Sequence, residues 1–245
     1  MSSRHVPRLF VAAPLSAGVA VAVDADQARY LGSVMRLAVG DRVLLFDDAT
    51  GEWDARIEVL SKKSAVLIPE NQLRPREAVP DIWLCAAPIK RARYEWIAEK
   101  ACELGAARLL PLLTERTGGV EAQQAKPERL RAHMIEAAEQ CGRTALPELA
   151  NAVKLASLLD EWPADRALIF CDEDGGDDAL AVLGDCPAPA AILIGPEGGF
   201  SDAERQRLAA IPVARRISLG QRILRADTAA VAALSLWQAA IGGSA

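Results

Sequence analysis

The chain has 245 residues, 51% of them apolar and 25% charged, with a formal net charge of -5. That length favours one large domain plus a smaller one, and the acidic balance gives no support for recognising nucleic acid by bulk charge, leaving it to local basic patches. Five cysteines without C-x-x-C spacing and two histidines, His5 and His133, argue against a disulfide framework or a zinc centre, so the expectation is a reduced protein with no metal.

Pro7 and Arg8 interrupt any apolar run at the N-terminus, so no signal-peptide pattern is present. Residues 8–11 form a short apolar run. Residues 41–47 read as a strand, followed by a turn at Asp48-Ala49-Thr50-Gly51. Residues 53–59 alternate as a half-buried strand does, and residues 64–69 read as another strand. Short strands separated by turns predict a small β-barrel. Residues 70–81 (ENQLRPREAVPD) carry two prolines and no usable periodicity, so the domain boundary is expected there, giving domains 1–72 and 73–245.

Beyond it, strands alternate with helices. Strands are predicted at 82–87, 108–113, 167–171, 190–194 and 213–218. Helices are predicted at 91–104, with Tyr94, Ile97, Ala101 and Leu104 at helical spacing, and at 127–141, with Pro127 in its first turn and Gly142 past its end. Ser201-Asp202-Ala203-Glu204 is a capping box opening a third helix, and residues 227–241 form a long, nearly all-apolar fourth, too short to span a membrane. This alternation predicts an α/β domain with a mostly parallel sheet. The acidic run 172–178 reads as a solvated loop. The expected compartment is the cytoplasm, with no membrane association.

Two stretches carry chemistry. In Ile194-Gly195-Pro196-Glu197-Gly198-Gly199-Phe200-Ser201 a buried strand ends in a glycine loop before a capped helix. Ligands of open α/β sheets sit beyond the carboxyl ends of strands, and glycines let them approach the backbone. Glu197 would repel phosphate, and the G-x-G-x-x-G and G-x-x-x-x-G-K-[ST] spacings are missing, so a nucleoside or amino-acid-like ligand fits better. In Leu219-Gly220-Gln221-Arg222-Ile223-Leu224-Arg225-Ala226-Asp227-Thr228-Ala229 a second strand ends at a glycine. Asp227 is explained equally well as a helix cap. Arg225 is harder to explain by packing and is expected to face the ligand.

Together these stretches resemble the RsmE family of 16S ribosomal RNA uridine N3-methyltransferases, within the SPOUT superfamily. Further ordered matches run along nearly the whole chain. They are Pro7-Arg8-Leu9-Phe10-Val11, Val34-Met35-Arg36-Leu37 with Gly40-Asp41, Lys90-x-x-Arg93-x-Glu95 through Glu103-Leu104-Gly105, Pro111 with Thr114-Glu115-Arg116, and Glu136 through Gln140 with Arg143. The resemblance implies a SPOUT-type α/β domain whose C-terminal end is tied in a trefoil knot, plus a small N-terminal PUA-like β-barrel. It implies S-adenosylmethionine held by Leu193, Ile194, Gly195, Pro196, Glu197, Gly198, Ser218, Leu219, Gly220, Ile223 and Leu224. It also implies a homodimer through the knot region, with 16S ribosomal RNA as substrate, within the small ribosomal subunit. Two positions depart from the family pattern: Asp227 stands where glutamate is usual, and Tyr30 near a usual histidine.

The mechanistic expectation is that Arg225 stabilises the anionic uracil or positions its phosphate, with Asp227 and Glu197 as candidate bases. RNA contact is expected from Arg8, Arg36, Lys90, Arg93, Arg116 and Arg143, with Arg4 and His5 near Arg8. A non-catalytic RNA-binding module of barrel-plus-platform type is the competing reading. A metabolic enzyme of a small phosphorylated substrate is a third, disfavoured by Glu197.

Overall fold

Alternating burial at the N-terminal end produces a mixed five-stranded sheet in the computed structural model, which describes residues 6–119 and 126–242. Its strands are β1 (Arg8–Phe10), β2 (Val21–Val23), β3 (Arg42–Phe46), β4 (Glu52–Leu60) and β5 (Ala65–Arg74), in the order β1-β3-β4-β5-β2. β1 runs parallel to β3, and the other pairs are antiparallel. Inward positions at period two, among them Val43, Leu45, Ala55, Ile57 and Leu67, are fully buried in one cluster. Helix α1 (Ala25–Arg29), capped by the Asp24 side chain, continues into a π-helical turn over Tyr30–Val34. β2, α1 and this turn were not expected, being too short to show a period. Nor was the length of β5, which runs into the boundary segment because Arg74 lies opposite Glu52 and pairs with it at 2.9 Å. Arg4 and His5 lie outside the described residues.

The chain divides by contacts into two units. The first runs to Ala78 and takes in Ala138–Leu146; the second is Val79–Ala137 with Pro147 onward. Within the first unit, Arg8 fills a structural role. Its guanidinium donates to the Ala138, Glu139 and Arg143 carbonyls, pairs with Glu52 at 2.6 Å and lies 4.5 Å over the Phe46 ring. Ala138 and Glu139 belong to the last turn of a helix, where carbonyls lack intrahelical partners and attract a cation.

In the second unit every described strand pairing is parallel. The strands are β6 (Ile82–Ala86), β7 (Arg108–Leu113), β8 (Glu148–Leu149), β9 (Val153–Lys154), β10 (Ala167–Cys171), β11 (Asp177–Asp178), β12 (Ala190–Ile194) and β13 (Ala214–Ser218). Their order is β11-β13-β10-β12-β6-β7-β8, with β9 also on β7. The helices are α2 (Arg91–Glu103), α3 (Pro127–Cys141, whose last turn from Ala138 belongs to the first unit), α4 (Leu155–Asp160), α5 (Ala179–Gly184), α6 (Asp202–Ala209) and α7 (Ala226–Gly242). All five residues of β12 are buried, as a strand covered on both faces requires. The expected capping box is formed: Ser201 and Glu204 bond reciprocally at the start of α6. α7 buries Ala229, Ala230, Ala233, Leu234 and Trp237 on one face, and packs on α2, α5, β12 and β6. The chain thus leaves β13 and returns over β12 and β6, a path that agrees with a C-terminal trefoil knot and with SPOUT architecture. Among the described residues no helix is long and apolar enough to cross a membrane.

Candidate functional site

Three neighbouring strands, β13, β10 and β12, end at the same level: Cys171 is in register with Ile194 on one side and Ile217 on the other. The loops leaving those ends enclose a cavity of about 200 Å³. Carboxyl ends of adjacent parallel strands are where α/β sheets present backbone to ligands.

Of the sequence-predicted residues, Ile194, Gly195, Pro196, Glu197, Ser218, Leu219, Gly220, Ile223, Leu224 and Arg225 line this cavity. Three do not. Leu193 is fully buried inside β12. Gly198 lies off the wall, its carbonyl accepting from Arg116 Nη1 at 2.5 Å. Asp227 lies in the first turn of α7, off the wall, with its Oδ2 3.8 Å from Arg93 Nη1. Glu197 is therefore the expected base candidate on the wall. Arg225 is exposed, without a side-chain hydrogen bond or ion pair among the described residues.

Sequence reasoning missed a third loop. Cys171, Asp172 and Glu173 line the cavity, as do Gly199, Arg222, Ala226 and Ala229. The solvated-loop expectation for 172–178 fails at Asp172, whose side chain has no exposed surface and pairs with Arg205 and Arg216. The available signal was its place: an acidic run directly after a buried strand whose neighbours both end in glycine loops. Burial pushes the Cys171 thiol up to about 12, which removes it as a nucleophile near neutral pH.

The expected RNA-contact residues separate into two groups. Arg8 and Arg143 are corrected to internal roles: Arg143 is 6% exposed, and its Nε donates to the Ala145 carbonyl. Their side chains are only 9% and 5% exposed, so neither presents a solvated guanidinium at the surface. Arg36 and Lys90 are exposed. Arg116 braces the glycine loop and Arg93 pairs with Asp227, so both are tied to the cavity region. Glu95, in the same motif as Lys90 and Arg93, is nearly buried and meets Arg129 at 3.1 Å.

Gly199 has φ +67, and a Cβ there would lie 1.9 Å from the Glu173 carboxylate. Gly199→Ala is therefore expected to weaken ligand binding at least about tenfold, because left-handed backbone costs alanine ~1 kcal/mol and the cavity wall must also shift. Titration calorimetry on the folded variant checks this.

The chain matches two family models: an RNA methyltransferase domain over residues 75–238 and an RNA methyltransferase PUA domain over residues 23–70. It is 34% identical over 232 residues to ribosomal RNA small subunit methyltransferase E of Synechocystis, covering 93% of this chain and 76% of that one. It is 28% identical to the enzyme of that name from Rickettsia conorii, covering 93% of each. Among solved structures it is similar to ribosomal RNA small subunit methyltransferase E from Neisseria gonorrhoeae bound to S-adenosylmethionine, at 27% identity and TM-score 0.84, covering 96% of this chain and 98% of that one. It is also similar to a Legionella pneumophila methyltransferase in complex with the same cofactor, at 31% identity and TM-score 0.82, with the same coverages.

Proposed function

The chain belongs to the RNA methyltransferase family of ribosomal small-subunit enzymes, and on that premise we propose that it transfers the methyl group of S-adenosylmethionine to N3 of a uridine in 16S ribosomal RNA. The observation that carries this reading is the cavity at the ends of β10, β12 and β13, walled by glycine loops and by Arg225 and Glu197. Its wall fits the cofactor's chemistry. Ile194, Leu219 and Leu224 offer apolar surface, while the Glu197 carboxylate suits a cationic ligand.

When bound, the cofactor supplies an electrophilic methyl on a sulfonium. The protein's own residues do the rest. The backbone of the two glycine loops orients the cofactor. Arg225 lines the cavity with no side-chain partner among the described residues, and it stabilises the charge that uracil acquires as N3 loses its proton. Glu197, exposed on the wall, accepts that proton directly or through water. Asp227, paired with Arg93 outside the wall, orients the start of α7 instead. The cofactor contacts assigned above to the loop residues belong to the same proposal. So does a homodimer formed through the knot region, where Ile223 on the cavity wall is 80% exposed. Cytoplasmic action on the small ribosomal subunit completes the reading.

The test is methyl transfer to small subunits and to naked 16S RNA, with the modified nucleoside identified by mass spectrometry. Binding of RNA without the cofactor, and no methyl transfer, would identify a non-catalytic RNA-binding module instead. Within the reading, Lys90 is the RNA contact to probe, since it is exposed and stands at the start of α2. Lys90→Glu is expected to weaken RNA binding and to lower the slope of log affinity against log salt by about one, with cofactor affinity unchanged. Loss of cofactor binding would remove Lys90 from this role.

A further inference from the structure

We propose that Arg205 is a positioning residue for the cofactor, because it holds the segment 172–174 in place, and Asp172 and Glu173 of that segment form the third wall of the cavity. This rests on reading that cavity as the S-adenosylmethionine site.

Arg205 stands on α6, outside the cavity, with 16% of its side chain exposed. Its guanidinium gathers four carboxylates: Asp172 at 3.1 Å, Glu173 at 2.6 Å, Asp174 at 3.0 Å and Asp202 at 3.3 Å. Arg216 of β13 reaches Asp172 from the other side at 3.0 Å. Three consecutive carboxylates repel one another, and one with no exposed surface is costly unless neutralised. Left alone, this run would splay into solvent. The two guanidiniums reverse that outcome and fix the loop leaving β10 against α6 and β13.

The consequence reaches the cavity through Glu173. Held by Arg205, its carboxylate lies where a side chain on Gly199 would project. The loop after β10 is thereby packed against the glycine loop after β12, and the cavity has three walls rather than two. The same contacts account for the acidic cluster Asp172-Glu173-Asp174: the cations between its oxygens are arginines. Only a planar fork reaches this many carboxylates at once, so lysine should not substitute for arginine here.

Arg205→Lys keeps the charge and removes the fork. The expected result is an affinity for S-adenosylmethionine about tenfold weaker by calorimetry, equivalent to about 1.4 kcal/mol, the size of one lost charge-assisted hydrogen bond. Single-turnover methyl transfer at saturating cofactor should stay within about twofold of wild type, since Arg205 touches no reacting atom. A purely structural role would lower the melting temperature and leave the dissociation constant of the folded variant unchanged, and that result overturns the proposal. Asp202→Asn is the control: Asp202 meets Arg205 from its own helix and is expected to leave cofactor affinity unchanged. Should Arg205→Lys fail to fold, Asp174→Asn decides, because Asp174 pairs with Arg205 but lies off the cavity wall. Weakened affinity in that variant supports the proposal, and unchanged affinity overturns it. A wild-type chain that does not bind S-adenosylmethionine overturns the reading of the cavity itself, whereas variants that bind as tightly as wild type overturn only the role of Arg205.

Discussion

Arg225→Ala is expected to lower single-turnover methylation of ribosomal RNA by about 10²- to 10³-fold, the range seen when a group stabilising a developing anion is removed. The residue stands on the cavity wall, exposed and without a described side-chain partner, so its charge is free for a ligand. Its position is nonetheless fixed, because its carbonyl accepts from Ala229 N at 2.8 Å in the first turn of α7. Truncating an unpaired side chain leaves no buried group stranded, and the melting temperature should not change. If the arginine acts on the transition state, kcat and kcat/KM fall together and cofactor affinity stays near wild type. An unchanged single-turnover rate would remove Arg225 from the chemistry. A raised KM for RNA with kcat preserved would make it a phosphate contact.

Asp47→Ala should destabilise the first unit by about 3 kcal/mol, read from the denaturant midpoint. Asp47 is 1% exposed, and its carboxylate accepts from the amides of Leu15, Ala49, Thr50 and Gly51 and from the Thr50 hydroxyl. It organises the turn between β3 and β4. That turn requires glycine at position 51, which sits at φ +106 with backbone of Pro75 where a Cβ would go. Alanine at position 47 strands several N–H groups in a buried site.

The same carboxylate gives a pH signature. Burial alone would raise the Asp47 pKa, but the Thr50 hydroxyl and the Leu15, Thr50 and Ala49 amides outweigh it, so the net shift is downward. At Glu52 burial is likewise outweighed, there by Arg74 and Arg8. A carboxylate with a lowered folded-state pKa contributes stability that is complete above its unfolded value, near pH 4, and is lost as the pH falls through the folded value. Stability should therefore decline below about pH 4. Asp47→Asn should flatten part of that decline.

Much of the second unit was legible because its signals are local. Strand–helix alternation, the Ser201 to Glu204 capping box and glycine at strand ends each act within a few residues, and each predicted element is found there to within two residues, whereas the short β8, β9, β11, α4 and α5 were not anticipated and β11 lies within the run 172–178 read as a loop. The short pieces of the first unit were not. β2 has three residues, and three residues show no period. The ordered matches to a known family reached the cavity loops directly, but they did not separate wall residues from their supports: Leu193, Gly198 and Asp227 lie inside the motifs and off the wall.

By itself, then, the sequence determined the α/β class, the small strand-rich N-terminal part and the two glycine loops, because each rests on backbone preferences that travel with the local residues. Tertiary structure decided which charges are free. Arg8 and Arg225 look alike in a sequence, yet one neutralises Glu52 and the end of a helix while the other lines a cavity with no side-chain partner among the described residues. Asp172 reads as surface until Arg205 and Arg216 arrive from segments 33 and 44 residues away. A charge's partner is fixed by long-range packing, and the partner settles whether that charge holds the fold or meets a ligand.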